Sequence, residues 1–462
     1  MNSIECGWDR RTINPVNPVS LGGYFNVRMW ESIADDLEVR TLVFRQGETL
    51  ALIVQFDLLT VTERLYLALV EELAALGVRG IDWRNLICTA THTHTAPLLK
   101  VNVPGADPEF TRFAARQGAL AVLGAIAALH PGQLYCGMTM ESRFLFNRRY
   151  WMNDGTVVTN PGKLNPAIRR PEGEIDPEIP LLAFGCDGKI EAVIGNIVNH
   201  TDTIGGSQVS ADWAGFAVRA VQEGLAPGGI FMPLIGCSGN INHFDISTAA
   251  NQTCYDEARR IGCGYAETII KTLSKLQALP LAELRIYSQK VTVAKRRLTA
   301  VERAEAEAMV ARYPEINIVG VAGSDLTSED LAKETPFALK YFAYHALQAD
   351  QHTEPLTFRL TGIDFGAAII ATLPGEPFVE IGLRLRKEIL HGKLAMVVSH
   401  CNGTGHPDCF GGYIPNKWNY GRGGYETTLR SNPFSEDTAG ILLASWWSIA
   451  NKEIYQQGPF YG

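Results

Sequence analysis

Apolar positions recur along the chain with two periods. Leu37–Arg45 and Leu50–Phe56 alternate or run apolar around Gln46-Gly47-Glu48, the pattern of a β-hairpin. Val61 to Leu76 instead spaces Leu, Val and Ala as a helix does. A strand at Leu86–Thr91, a helix from Pro108 to Leu129 and a strand at Leu134–Met138 follow. Ile179–Phe184 and Ile190–Val198 read as strands joined across Cys186-Asp187-Gly188-Lys189. Ser210-Ala211-Asp212 supplies N-cap chemistry for a helix at Trp213–Glu223. The strand Ile230–Ile235 breaks into a run of small and amide residues, Gly236 to His243. Beyond it come a helix from Glu257 to Lys275, a strand at Leu284–Val293, and two more charged, peripheral helices at Thr299–Tyr313 and Pro336–Leu347. Residues 319–328 have loop composition. Strands at Leu356–Ile363, Ala367–Leu373 and Leu394–Val398 bracket a helix that follows Pro374-Gly375-Glu376-Pro377 and ends at Leu390. A Gly- and aromatic-rich loop from Gly403 to Glu426 leads to a last helix at Asp437 to Ile449. Ile13 to Tyr24, rich in Pro and Gly, reads as an extended entry segment.

Hairpins early in the chain and strand–helix alternation later predict an α/β fold: mixed β-sheets packed together, with helices on the outside. No repeat, low-complexity tract or linker divides the sequence, so residues 1–462 are expected to form a single large catalytic domain.

Composition narrows the partners. Hydrophobic residues make up 46% and charged residues 19% of 462, which describes a soluble globular chain with a large core. The net charge is −8 and no Lys/Arg block stands out, which argues against nucleic acid. No apolar run is long enough to span a bilayer, so no stable membrane association is expected. The N-terminus lacks the basic start and apolar core of a signal peptide. Nine cysteines without CxxC pairing fit buried, reduced thiols in a cytoplasmic protein.

Candidate chemistry centres on Cys88 to Pro97. In a strand, His92 and His94 would share a face. Neutral imidazoles side by side suit zinc, although such a pair taken alone is more often structural or on the surface. His200 ends another apolar strand and Glu376 follows a third. Two His and a carboxylate with an open position form a common catalytic zinc set. The plainer alternatives are a satisfied core histidine at His200 and a helix-start carboxylate at Glu376. Asp212 is either a carboxylate that orients a histidine or an ordinary first-turn Asp. Arg148 and Arg149, beside Tyr150 and Trp151, suit an anionic or polar ligand, and equally a solvated turn with Arg stacked on Tyr or Trp.

Taken together, Thr91-His92-Thr93-His94-Thr95-Ala96-Pro97, Asn199-His200-Thr201-Asp202-Thr203, Val209 to Gly215, Gly239-Asn240-Ile241-Asn242, Leu373-Pro374-Gly375-Glu376-Pro377 with Gly382 to Arg386, and Gly412-Tyr413 with Tyr425-Glu426 resemble the catalytic domain of the neutral/alkaline, non-lysosomal ceramidase family, in the family's order. The resemblance implies zinc ligands at His92, His200, Glu376 and Tyr413. It places His94 beside them as a substrate-contacting or proton-transferring group. His94, Asp212 and Asn242 become the catalytic candidates, and Asn147, Arg148 and Asn240 the substrate contacts. Asn242 stands where the family's Gly-Asp-Val-Ser segment has its Ser, and Ser238 lies four residues too early to replace it. An acyl-enzyme on Ser is therefore not expected, and zinc-activated water remains. The family's C-terminal β-domain and secretion signal have no match. The expectation is a short, cytoplasmic, zinc-dependent hydrolase that cleaves an amide-like C–N bond of a small soluble substrate. An esterase, or a ligand-binding relative that has lost turnover, are the alternatives, and a homo-oligomer is left open. The amidohydrolase barrels also use an HxH pair, but their later Lys, His, His, Asp series cannot be laid on this chain.

Overall fold

The computed structural model describes residues 3–24, 27–100, 105–318, 335–407, 409–429 and 431–456. The segment 319–328 lies outside the described residues.

Two mixed sheets pack face to face, and helices cover both outer surfaces. The strands of the larger sheet are β1 (Ile4–Thr12), β2 (Glu38–Gln46), β3 (Thr49–Phe56), β4 (Leu86–Ala90), β5 (His130–Met140), β6 (Glu178–Cys186), β7 (Lys189–Ile197) and β8 (Ile230–Ile235). Their spatial order is β8-β7-β6-β5-β1-β2-β3-β4, with the short Gln277–Ala278 strand on β5. The smaller sheet runs β9 (Arg285–Val293), β10 (Leu356–Asp364), β11 (Ala368–Thr372) and β12 (Leu394–Val398), in that order. The helices are α1 (Glu63–Ala75), α2 (Pro108–Ala127), α3 (Asp212–Glu223), α4 (Tyr255–Leu273), α5 (Ala300–Arg312), α6 (Pro336–Ala349), α7 (Val379–Arg384) and α8 (Thr438–Gln456). α7 runs straight into a π-helical turn, Leu385–Ile389.

The two expected hairpins are present, β2–β3 and β6–β7, both antiparallel. β1 was not expected as a strand. Its sequence, IECGWDRRT, is buried at Ile4, Cys6 and Gly7 and carries too few apolar residues to stand out. It nevertheless lies at the centre of the large sheet. It pairs with β2 from Glu5↔Arg45 to Thr12↔Glu38, and with β5 from Ile4↔Gly132 to Cys6↔His130. β5 accordingly begins at His130 rather than Leu134, because β1 supplies a partner for its Pro- and Gly-containing start.

Four apolar layers follow. Between the sheets lie Leu42, Phe44, Ile53, Met232, Leu234, Ile370, Met396 and Val398, each at most 2% exposed. α1 and α2 cover the β1–β4 half of the large sheet, and α3 and α4 cover the β6–β8 half. α7 and α8 cover the small sheet. Each fully buried Leu, Ile or Phe contributes roughly 1.5–3 kcal/mol, so these layers dominate the energetics. Asn196 crosses the apolar gap between the sheets. From β7 it donates to the Leu234 and Val397 carbonyls (3.0 and 3.1 Å) and accepts from the Val397 amide (3.0 Å). It thereby fixes where β12 lies against β7 and β8.

Within the two sheets the parallel strand pairs are β3–β4, β7–β8 and β11–β12. Their carboxyl ends meet: the Ser399 amide donates to Ile235 O, the His400 amide to Gly375 O and the Asn402 amide to Cys88 O. Loops beyond the carboxyl ends of strands are where α/β sheets hold ligands.

Candidate metal centre

His92, His94 and His200 converge there, the group among the described residues whose ligand atoms could hold a metal ion. The pleat does not bring the first two together. β4 ends at Ala90, and His92 has φ 64°, in the left-handed region. The chain turns at His92, whose amide bonds to Leu58 O (2.9 Å), while the His94 amide bonds to Thr201 O (3.2 Å). Two turns therefore aim the rings at each other, where strand alternation would have set them side by side.

The hydrogen bonds fix two of the three rings. His92 Nδ1 lies 2.7 Å from Leu59 O, and His200 Nδ1 lies 3.2 Å from Ser238 O. A carbonyl only accepts, so each Nδ1 carries the proton and each Nε2 presents a lone pair. Those two Nε2 atoms are 3.0 Å apart, and His94 Nε2 is 3.3 Å from His92 Nε2. Facing lone pairs repel unless a cation lies between them. The Glu376 Oε2 atom is 3.4 Å from His92 Nε2 and 3.8 Å from His200 Nε2. That oxygen is buried and has no hydrogen-bond donor. Ligands about 2.0–2.1 Å from a tetrahedral zinc lie about 3.3 Å from one another, so spacing and donor set both fit zinc.

The electrostatics agree. Burial holds His94 and His200 well below the usual histidine range, so both are neutral ligand-type imidazoles. Burial pushes Glu376 upward, but positive charge around it, Arg148 included, outweighs burial and leaves the carboxyl below its ordinary value, hence ionised. Tyr413 reaches the site by a short parallel bridge in which it pairs with Glu376. Burial raises its phenol above the usual range, opposed by Arg148. The Arg148 guanidinium lies 5.1 Å from the Tyr413 ring and 5.5 Å from the Tyr425 ring. It is itself held by Glu426 (3.1 Å) and Gly239 O (2.7 Å). Gly239 has to be glycine, since a Cβ there would run into the Glu376 carbonyl.

The other expected site residues are placed differently. Asn240 accepts from the Val379 amide (2.8 Å) and donates to Glu380, anchoring the start of α7. Asn242 donates to Asn160 (2.8 Å) and accepts from the Phe244 amide (3.1 Å). Asn147 joins Glu174 O to the Arg149 amide. Each amide is committed to scaffold, and of the four expected polar contacts Arg148 is the one that faces the histidines. Asp212 corrects the expectation that it orients a histidine. Its oxygens accept from the amides of Thr203 (2.9 Å), Ile204 (2.8 Å) and Trp213 (2.6 Å), clamping the loop after His200. Burial lifts its pKa to about 6.

The carboxylate beside His94 is Asp202, with Oδ1 3.4 Å from His94 Nδ1. Tyr24 donates to that same oxygen (2.5 Å). His400 stacks on His92 at 4.0 Å between centroids. Sequence reasoning passed over both. The signal for His400 was present, a histidine just past an apolar strand. Asp202 was quoted in a motif but given no role.

No protein-family model and no curated protein matches the sequence. Solved structures do match the fold. A neutral ceramidase from Pseudomonas aeruginosa aligns with a TM-score of 0.73 and 16% identity, over 100% of this chain and 76% of that one. A ceramidase complexed with C2 aligns with the same score and identity, over 77% of its length. The chain has the fold of the neutral ceramidases.

Proposed function

We propose that the protein is a zinc-dependent hydrolase that cleaves an amide-like C–N bond of a small N-acyl substrate. The observation that carries this reading is the 3.0 Å approach of the His92 and His200 Nε2 atoms, both Nδ1 atoms being committed to carbonyls. His92, His200, Glu376 and Tyr413 would hold the ion, with His94 beside them. Bound zinc supplies a Lewis acid for a carbonyl oxygen and lowers the pKa of water to near neutrality. The chain's own groups do the remainder. The neutral His94 imidazole takes or returns a proton at Nε2. Arg148, fixed by Glu426 and Gly239, presents positive charge where an oxyanion would develop. The fold shared with ceramidases, whose name denotes amide cleavage, supports an amide over an ester. All nine cysteines are free, which fits a reducing, cytoplasmic setting. Among the described residues no helix is long and apolar enough to cross a membrane.

Elemental mass spectrometry on untagged protein is the test, alongside a His92→Ala/His200→Ala variant. Near-stoichiometric zinc that disappears in the variant, with hydrolysis of small N-acyl amides lost at the same time, is the expected result. Protein that takes up no metal when zinc is supplied would end the proposal. Zinc without turnover on any amide would leave a ligand-binding relative.

A further inference from the structure

Arg148 faces the histidines, and its neighbour Arg149 takes no part in the proposed chemistry. Arg149 is 0% exposed, so it does not belong to a solvated turn. Each of its three nitrogens donates: Nε to Glu172 (2.5 Å), Nη1 to Glu426 (2.8 Å) and Nη2 to the Gly423 carbonyl (2.9 Å). Glu172 accepts in turn from Asn419 (3.2 Å) and Arg422 (3.4 Å). Taking such charges out of water costs about as much as their pairing returns, so a buried cluster of this kind is weak as a source of stability. Its geometry gives it another use.

Glu426, also 0% exposed, divides its two oxygens between the adjacent arginines. Oε1 accepts from Arg148 Nε at 3.1 Å. Oε2 accepts from Arg149 Nη1 and from the Thr159 hydroxyl (2.6 Å). A carboxylate is planar, so holding Oε2 fixes where Oε1 points, and with it the direction in which Arg148 extends. Gly424, at φ 83°, lets the chain pass so close that a Cβ there would run into the Arg149 guanidinium. The same guanidinium lies 5.4 Å from the Phe378 ring, and the Phe378 amide donates to Ile414 O, next to Tyr413. Arg149 is thus wedged between Glu426, Gly423 and Phe378. We propose that Arg149 is a positioning residue that, through the shared Glu426 carboxylate, aims the Arg148 guanidinium at the metal centre. The catalytic value of this aim rests on the zinc-hydrolase reading, but the aim itself does not.

The experiment is proton–nitrogen NMR of arginine side chains in nitrogen-15-labelled protein at neutral pH, with Arg148→Met to assign the Arg148 Nε–H signal. In native protein this proton, buried on a carboxylate, is expected to exchange slowly with solvent. In Arg149→Met it is expected to exchange at least about tenfold faster, while the backbone amides of β2 and β3 keep their native rates. Arg149→Met/Glu172→Met removes the cation together with its second carboxylate and leaves Arg148 balanced by Glu426, so it carries the test if Arg149→Met does not fold. Native-like exchange at Arg148 in whichever variant folds, or equal acceleration at the β2 and β3 amides, overturns the proposal. On the zinc-loaded enzyme, kcat is expected to fall at least about tenfold in Arg149→Met, with KM and zinc content close to native. Loss of an oxyanion donor outright costs about 100–1,000-fold, and Arg148→Met/Arg149→Met is expected to lose no more than Arg148→Met alone. Additive losses would mean that Arg149 does not act through Arg148, and would also overturn the proposal. If native protein hydrolyses nothing, the hydrolase reading fails while the exchange result still decides the role of Arg149.

Discussion

Gly23 shows how closely the site is built at the level of single atoms. It has φ 95°, and a Cβ there would fall well inside contact distance of His94 Cγ and Nδ1. Gly23→Ala therefore meets two penalties. The backbone one is of the order of 1–2 kcal/mol, and the steric one pushes the imidazole away from the cluster. The expected outcome is a protein with a slightly lower melting temperature, reduced zinc affinity and most of its activity lost, read by calorimetry, zinc titration and amide hydrolysis. Native-like activity would show that His94 is not held in the pose described. The spacing of His92 and His94 was legible as a metal-type pair, yet the reason they meet was not. A turn at positive φ replaced the expected strand, and no residue type announces φ 64° at a histidine.

Among elements, β1 does the most that the sequence hid. It joins the two halves of the large sheet, and its last pairs with β5 end at His130. His130 lies 3.0 Å from Ala128 O and 3.0 Å from Glu191. Those two contacts, the carbonyl first, raise its pKa above the ordinary value. A raised folded-state pKa stabilises the fold below the unfolded value, about 6.5, and the benefit is lost as pH rises through the folded pKa. The stability advantage of the native protein over His130→Gln should thus be largest near pH 5.5 and shrink by pH 8.5. Urea midpoints at the two pH values measure this. An advantage independent of pH would leave only the packing of the ring on Trp8 and Phe184. The hairpins were readable because both partners lie next to each other in sequence. β1 pairs only with distant segments, and its charges are compensated across the sheet, as by Arg45 on Glu5.

For the molecule as a whole, the site is a junction. Its groups come from the ends of β4, β7, β11 and β12, drawn from both sheets. An ion held there ties the sheets together and binds the folded chain alone. Zinc at 1,000 times its Kd should stabilise the fold by about 4 kcal/mol. Calorimetry should show a higher melting temperature for zinc-loaded than for chelator-treated protein, with no difference in His92→Ala/His200→Ala. Equal shifts in both proteins would place the ion elsewhere.

Local patterns settled the class of the molecule: alternating and helical apolar runs, strand ends that carry His and Glu, and an order of motifs like that of the ceramidases. Those signals act over a few residues, and side-chain period and turn chemistry are written at that range. The partners of polar groups are set over hundreds of residues. Whether Asn240 and Asn242 face a ligand or brace α7 and Asn160 depends on which backbone atoms arrive beside them. On paper Asp212 was the candidate carboxylate, and Asp202 carried no role. Folding put one on the backbone amides of Thr203 and Ile204 and the other on the Tyr24 hydroxyl, because a buried carboxylate goes wherever donors are within hydrogen-bond reach.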